Sequence, residues 1–508
     1  MIRISAATVK QTGFAEPRIT RREQLSERAL RSVDAVLVIL PQAAAGDVLA
    51  KLPHATRWKS LFARLRQNSG GVRATVLPNE RETRAVLGIA SARASTFELL
   101  ALAGRMVKEL PAGEADSVAL VAPASGSDAA LEALLAAVLA QAFSLPSFRA
   151  RAARAHHIRS IELVGGRSLD LAYCRAVAAG TNLTRYLTAM PPNELDARAY
   201  LRLLRALARA SGLTLRWLDE RRLKRLGAGA FLAVAAGNAD RGAGIAQLSY
   251  RPRGKRRRAP DVALIGKGII FDTGGTNSKP HRAMLEMHTD MAGSAVALST
   301  LLALARLRAP IAADAWLAIT ENRTGPTAYK PQDVVRAANG VTIQVIHTDA
   351  EGRMVLADTL ALAARRRPRL MIDFATLTGA CVYALTERMS GFFTNTPQLE
   401  PTLRAAGRAS GERVWGFPFD ADYDSDLESK VADILQCSPE SKGDHILAAR
   451  FLSRFVPAAT PWVHLDLSSA MRGGGLGHIG TDITGFGVRY TLELLLKQKA
   501  LSKLGSPA

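Results

Sequence analysis

The chain has little with which to cross-link itself, little with which to stack bases, and no apolar run long enough to cross a bilayer. Three cysteines in 508 residues, Cys174, Cys381 and Cys437, show no paired spacing. That argues against a disulfide framework and against a thiolate metal site. Aromatic residues make up only 6% of the sequence, which leaves few platforms for stacked nucleotides. The stretch Met1–Lys10 lacks the continuous apolar core of a signal peptide. The most apolar segment, Leu131 to Phe143, is too short for a membrane span and reads as a buried helix rich in alanine and leucine. Acidic residues are also scarce: 45 against 67 basic ones, for a net charge of +22. Such an excess draws polyanions at low salt, and arginine clusters occur at Arg221–Arg225, Arg251–Arg258 and Arg365–Arg369. The excess follows chain length rather than gathering in one segment, so it reads as a solvated surface. His156 and His157, in a basic stretch, read as surface residues. A cytoplasmic protein of more than one domain, with a large core, is expected.

What is present is chemically pointed. The stretch His347-Thr348-Asp349-Ala350-Glu351-Gly352-Arg353 carries charges at every second position. If extended, it places Asp349, Glu351 and Arg353 on one face. Two carboxylates and a guanidinium on one face fit a metal between the acids and an anion beside the arginine. The following residues, Met354 onward, form a good helical pattern. Backbone amides at its start also favour an anion near Arg353. A second cluster lies upstream. Val262 to Phe271 reads as a buried strand, with Asp272 at its end, Gly274-Gly275 next, then Lys279 and Asp290. Lys267 falls inside the apolar run, where burial disfavours the ammonium form. A neutral amine there would be a nitrogen ligand. The nine histidines are not placed to help.

These two clusters resemble the leucyl aminopeptidase family of hexameric two-metal exopeptidases. The Asn-Thr-Asp-Ala-Glu-Gly-Arg signature of that family is matched with His347 in place of asparagine. The upstream motif is matched at Lys267, Asp272, Lys279 and Asp290. Leu187 to Leu195, Ala375 to Cys381 and Gly485 to Arg489 are similar to further family segments. The resemblance covers roughly Ala179 to Leu496.

It implies two divalent metal ions per subunit, zinc or manganese, with magnesium or cobalt as further options. Lys267, Asp272, Asp290 and Glu351 would hold one; Asp272, Asp349 and Glu351 the other. It further implies Lys279 on the scissile carbonyl and a bicarbonate at Arg353 acting as general base, so that the chain supplies no carboxylate base of its own. Met287, Thr376, Gly379, Ser468 and Met471 match the pocket for the N-terminal side chain, expected to prefer leucine-like residues. Ser468-Ser469 and Gly443-Asp444-His445-Ile446 depart from the family pattern. His347 is expected to serve as a hydrogen-bonding support rather than a ligand. The implied partners are short peptides and five further copies in a homohexamer. The alternative reading is a polyanion- or DNA-binding protein that retains the fold.

The expected fold class is α/β in two domains: a smaller N-terminal α/β domain over 1–166, and a larger catalytic α/β domain over 191–508 with a central mixed sheet flanked by helices. A connecting helix over 167–190 would join them. Strands are expected at Ala35–Leu40, Ala74–Leu77, Ala85–Ile89, Val118–Ala122 and Ser160–Val164, with helices at Phe97–Leu110 and Asp128–Phe143. No glycine-rich phosphate loop follows any of these strands. The second part is expected to open with a helix at Ala197–Ala210. Its strands are expected at Gly244–Tyr250, Val262–Phe271, Ala313–Ile319, Leu370–Phe374 and Trp462–Leu467.

Overall fold

The computed structural model describes residues 16–504, apart from 42–44, 66–70, 111–112, 114, 123–127, 151–157, 239–241, 255–258 and 441. Met1–Lys10, His156, His157 and part of the Arg251–Arg258 cluster therefore lie outside the described residues. Two sheets organise the chain. The first holds β1 (Arg18–Arg22), β2 (Ala35–Pro41), β3 (Val72–Val76), β4 (Arg84–Ala90), β5 (Ser117–Val121) and β6 (Ser160–Val164), in the order β1-β6-β5-β2-β4-β3. All its neighbours are parallel except β3 and β4. The helices Thr96–Val107 and Asp128–Gln141 bury Leu100, Met106, Leu131 and Val138 against one face of it.

The helix Leu171–Thr188 leads onward. Asp170 caps its start by accepting a hydrogen bond from the Tyr173 amide at 3.0 Å, which satisfies one of the donors a helix N-terminus leaves free. The second sheet contains β7 (Thr214–Asp219), β8 (Gly244–Tyr250), β9 (Val262–Asp272), β10 (Ala313–Asn322), β13 (Leu370–Ala375), β14 (Ser390–Thr394), β15 (Val414–Gly416) and β17 (Trp462–Asp466). Between them fall β11 (Val334–Arg336), β12 (Thr342–Gln344) and β16 (Ile434–Leu435), which form a small third sheet. The large sheet runs β15-β14-β17-β13-β9-β10-β8-β7, and its middle four strands, β17, β13, β9 and β10, are parallel.

β9 sits at the centre, buried on both faces, and the period of two divides its side chains. Val262 and Leu264 join the core formed with the helix Ala292–Arg306. Ala263, Ile265 and Ile269 join the core on the other side with Met354 and Val355 of the helix Glu351–Ala364. Lys267 is in phase with the second set, so β9 carries a lysine into that core beside the first turn of the helix Glu351–Ala364. Each fully buried aliphatic side chain contributes about 1.5–3 kcal/mol, and this apolar surround makes an unpaired ammonium costly.

One expectation is corrected here. Asp349, Glu351 and Arg353 are not on an extended segment. The strand β12 ends at Gln344, Thr348-Asp349 make a turn, and the helix begins at Glu351. Glu351 and Arg353 thus lie in the first helical turn, and the alternating-face argument does not apply to them. The helix is buried from Glu351 to Ala363. Its apolar content all round, rather than the spacing of three charges, decided the local structure.

Candidate metal centre

The site forms where the middle strands end. β9 delivers Asp272, and β10 ends beside it at Asn322, after a register shift between Thr320 and Asn322. Asn322 Nδ2 donates to Asp272 Oδ1 at 2.7 Å and to the Thr348 carbonyl at 3.0 Å. The Gly274 amide donates to the same Asp272 oxygen at 2.8 Å. Gly274 has φ of 87°, and a Cβ there would lie 2.5 Å from the Asn277 carbonyl oxygen; glycine is required by both conformation and space.

The turn carrying Asp349 is pinned from below. Thr348 Oγ1 donates to the Gly274 carbonyl at 2.7 Å, and Tyr329 donates to the Thr348 carbonyl at 2.8 Å. Gln436 Oε1 accepts from the Ile346 and His347 amides, and its Nε2 donates to the Ala350 carbonyl. His347 Nδ1 accepts from the Asp349 amide at 3.2 Å, so this histidine closes the turn.

Asp272, Asp290 and Glu351 each offer an oxygen, and all three oxygens lie within 4.8 Å of one another, buried. Two lysines interleave with the acids. Lys267 Nζ is 2.8 Å from Asp290 Oδ1, 2.9 Å from Glu351 Oε1 and 3.0 Å from the Thr376 carbonyl. Lys279 Nζ is 2.9 Å from Asp272 Oδ2 and 2.5 Å from Asp349 Oδ1. Asp349 is the more exposed acid, tied to the cluster through Lys279 rather than gathered with the other three.

Electrostatics follow from crowding in a dry site. Burial, then the Asp272 charge, raise the Glu351 pKa well above the usual carboxylate range. Burial raises Asp290 to about 6, against the opposing pull of Lys267. Burial and Asp272 raise Asp349 as well. For Lys267, burial pushes the ammonium pKa down, but Asp290, Glu351 and Asp272 together outweigh it and the net direction is up. The neutral amine expected from the sequence is therefore not the form favoured by the protein groups alone.

The donor set fits divalent cations. Four carboxylates face two ammonium groups, leaving the site short of positive charge. Asp290 Oδ2 and Glu351 Oε2 are buried and accept no hydrogen bond among the described residues. A buried charged acceptor left without a partner costs upward of about 1–3 kcal/mol, which a metal ion would relieve.

Gly352 makes room for this arrangement. A Cβ there would lie 2.6 Å from Lys267 Cε and 2.7 Å from Nζ. Gly352→Ala gains up to about 1 kcal/mol in helix propensity and loses about 1–3 kcal/mol to overpacking. The net change in stability therefore lies between none and a loss of about 3 kcal/mol, while Lys267 is displaced. Metal content per chain should fall, as measured by elemental analysis; a fully loaded variant would contradict this role for Gly352.

The remaining expected residues are more dispersed. Thr376 belongs to the centre: its hydroxyl donates to Asp290 Oδ1 at 2.7 Å. Met287 lies in the short turn Met287–Thr289 just before Asp290. Gly379 opens the helix Gly379–Leu385, and Met471 pairs with Ile483 in an isolated bridge. Ser468 donates its hydroxyl to the Met389 carbonyl at 2.6 Å, with Cys381 Sγ at 3.5 Å; Ser469 is fully buried. Arg353 is also buried. Its Nη2 donates to both Asp444 oxygens, at 2.8 and 2.9 Å, and its Nη1 to the Gln436 carbonyl at 3.3 Å. The anion beside this guanidinium is thus a side chain of the same protein. Asn322, Tyr329 and Gln436 are absent from the sequence reading, and Thr348 and Asp444 enter it only as members of longer segments, without a role. Of these, Asn322 had a readable signal, since it ends the β-rich run next to the strand that ends at Asp272.

Buried carboxylates gathered where parallel strands end in an α/β sheet form a site of the kind that holds divalent metal ions. Residues 182–492 match the family model described as "Cytosol aminopeptidase family, catalytic domain". The chain belongs to this family and is a peptidase, an aminopeptidase-type hydrolase. A probable cytosol aminopeptidase of Synechococcus sp. (strain CC9605) is 36% identical over 426 residues, which cover 81% of this chain and 85% of that one. Among solved structures, the bottromycin maturation enzyme BotP in complex with Mn is 29% identical with a TM-score of 0.79, covering 91% of this chain and 98% of that one. The apo leucyl aminopeptidase of Trypanosoma cruzi shares the fold: 24% identity, TM-score 0.81, 99% of this chain and 100% of that one. Among the described residues no helix is long and apolar enough to cross a membrane.

Proposed function

We propose that the chain is a two-metal aminopeptidase that removes leucine-like residues from the free N-termini of short peptides in the cytoplasm. The observation that carries this reading is the knot of Asp272, Asp290 and Glu351 with Lys267 inside it. Lys267, Asp272, Asp290 and Glu351 would hold one ion; Asp272, Asp349 and Glu351 the second. Zinc or manganese suits this oxygen-rich set with one nitrogen, and magnesium or cobalt would also fit it. Bound there, the two ions would supply an acidified bridging water as nucleophile and an anchor for the free α-amine.

The chain's own groups do the rest. Lys279, poised between Asp272 and Asp349, would donate to the scissile carbonyl oxygen as negative charge develops on it. Thr376 holds Asp290 in place, and Asn322 holds Asp272. Met287, Thr376, Gly379, Ser468 and Met471 would line the pocket for the first side chain. With the Ser468 hydroxyl donated to a backbone carbonyl, that wall stays compatible with an apolar residue. A homohexamer is the proposed assembly, testable by light scattering against a chain mass of 54.3 kDa. The reading of residues 1–166 as a domain without chemistry, joined through 167–190 to a catalytic part over 191–508, is kept as part of this proposal.

Hydrolysis of leucine p-nitroanilide with added manganese or zinc, with and without chelator, tests the activity. No metal-dependent release of nitroaniline, nor of amino acid from a dipeptide panel, would refute it. The polyanion-binding reading is weaker because several clustered arginines are already engaged. Arg251 pairs with Asp314, Arg365 bonds the Ala338 carbonyl and Arg369 the Leu501 carbonyl. Filter binding across a salt series would detect it.

Metal affinity should rise with pH. Protons and dications compete for the same lone pairs. Asp290 takes up a proton as pH falls through about 6, and Lys267 has a proton to lose before it can ligate. Titration calorimetry with manganese at about pH 5 and about pH 7.5 should show weaker binding at the lower value; equal affinities would contradict the assignment.

A further inference from the structure

Arg353 is a buried cation whose neighbours are set by the fold. It stands in the first turn of the helix Glu351–Ala364, two residues beyond Glu351, where helix amides add to the attraction for an anion. The carboxylate that answers it comes from ninety-one residues further along, at the first position of the helix Asp444–Ser453. Gly443, with φ of 61°, turns the chain into that helix just before Asp444. The same stretch contributes Gln436, which bonds the backbone on both sides of the Asp349 turn and accepts from Arg353 through its own carbonyl. Asp444 is therefore joined through Arg353 to the helix that begins at Glu351, and Arg353 is joined through Gln436 to the turn that carries Asp349. The Asp444 side chain is 27% exposed, against 2% for Arg353, so one side remains open to water. The other acids of the centre are engaged by Lys267 and Lys279.

We infer that Asp444 is this chain's own anion at the Arg353 seat and the proton acceptor of the hydrolysis, so that the reaction needs no free bicarbonate-like ion. The inference rests on the aminopeptidase reading. The attacking water gives one proton to the Asp444 carboxylate while its oxygen bonds to the scissile carbonyl carbon. The carbon–nitrogen bond then breaks, and the proton passes from Asp444 to the departing nitrogen, which leaves as an amine. The carboxylate is regenerated, and the products are a free amino acid and a shortened peptide. Arg353 fixes the carboxylate and does not compete for the proton, because a guanidinium stays charged.

The test compares the metal-loaded enzyme in bicarbonate-depleted buffer and in buffer with added bicarbonate or formate. Wild-type turnover should be the same in both. Asp444→Ala should lose about 100-fold or more in kcat with metal content retained. Added formate or bicarbonate should restore at least about tenfold by entering the vacated seat. Asp444→Asn, whose amide fills the seat without a basic oxygen, should be equally slow and not rescued. Binding of 13C-bicarbonate to metal-depleted protein, followed by NMR, should appear in Asp444→Ala and not in wild type. Wild-type stimulation by bicarbonate, an Asp444→Ala variant within about threefold of wild type, or a loaded but unrescued Asp444→Ala would each overturn the inference. Should Asp444→Ala fail to fold, the wild-type anion series and Asp444→Asn decide alone. Absence of hydrolysis by wild type under every anion condition would instead sink the aminopeptidase reading, and the NMR comparison would still judge the seat.

Discussion

Lys279→Met should lower turnover on leucine p-nitroanilide by about 100- to 1,000-fold while leaving most of the bound metal in place. Lys279 is largely buried and lies between Asp272 and Asp349. Burial works against its charge, but Asp272 and Glu351 more than offset that, and its pKa is raised. An ammonium held charged in a dry cleft is already oriented when negative charge appears on the substrate oxygen, so little reorganisation is required at that moment. Methionine keeps the approximate length and removes the charge. The assay is kcat alongside metal content by elemental analysis. A variant with unchanged turnover would remove Lys279 from the reaction. One that loses metal and turnover in parallel would make it a support for the acids instead.

Glu351→Ala should have the larger effect on metal. This residue pairs with the Lys267 ammonium through Oε1, has Oε2 buried without a partner among the described residues, and belongs to the three-carboxylate cluster. Loss of an outer hydrogen-bonding partner of a metal ligand costs about 10- to 100-fold in affinity, and loss of a proposed bridging ligand should exceed that. Activity should fall below detection at metal concentrations that saturate the wild type. Thermal unfolding of the metal-free protein checks that the fold survives. A Glu351→Ala variant that binds manganese as tightly as wild type would show that the cluster is not the metal site.

Parts of this centre were legible in the chain and parts were not, for reasons that can be named. β9 was readable because an apolar run rich in β-branched residues ends in an acid and two glycines, and its bounds differ from expectation by one residue. Lys267 was readable because a lysine within such a run has few innocent explanations. The Asp349–Arg353 segment differs in shape from its sequence pattern. Three charges at alternate positions suggest a strand, but the helix beginning at Glu351 is buried almost all round, and its packing on β9 overrode the local pattern. Burial alone points to Lys267 as a neutral amine; the fold adds three acids whose combined pull runs the other way.

The supports were the least legible. Gln436 and Asp444 act on residues more than eighty positions away, and no local spacing announces such an approach. In the sequence Asp444 stands out only as part of the departing Gly443–Ile446 segment, without a role. The strands β7, β14 and β15 of the large sheet, like β1, β11, β12 and β16, have no counterpart among the expected strands. They are short or flank the sheet, and Thr214–Asp219 alternates buried and exposed residues only loosely. The regular hydrogen bonding of the large sheet, rather than their own composition, secures β7, β14 and β15.

Titration of the metal-depleted protein with manganese, followed by calorimetry and by peptide hydrolysis on the same samples, decides whether the acid cluster is a catalytic metal centre. Two ions should bind per chain, with hydrolysis absent in the depleted protein and appearing as the ions bind. Full hydrolysis by the metal-depleted protein, or no manganese, zinc, magnesium or cobalt bound at all, would contradict it.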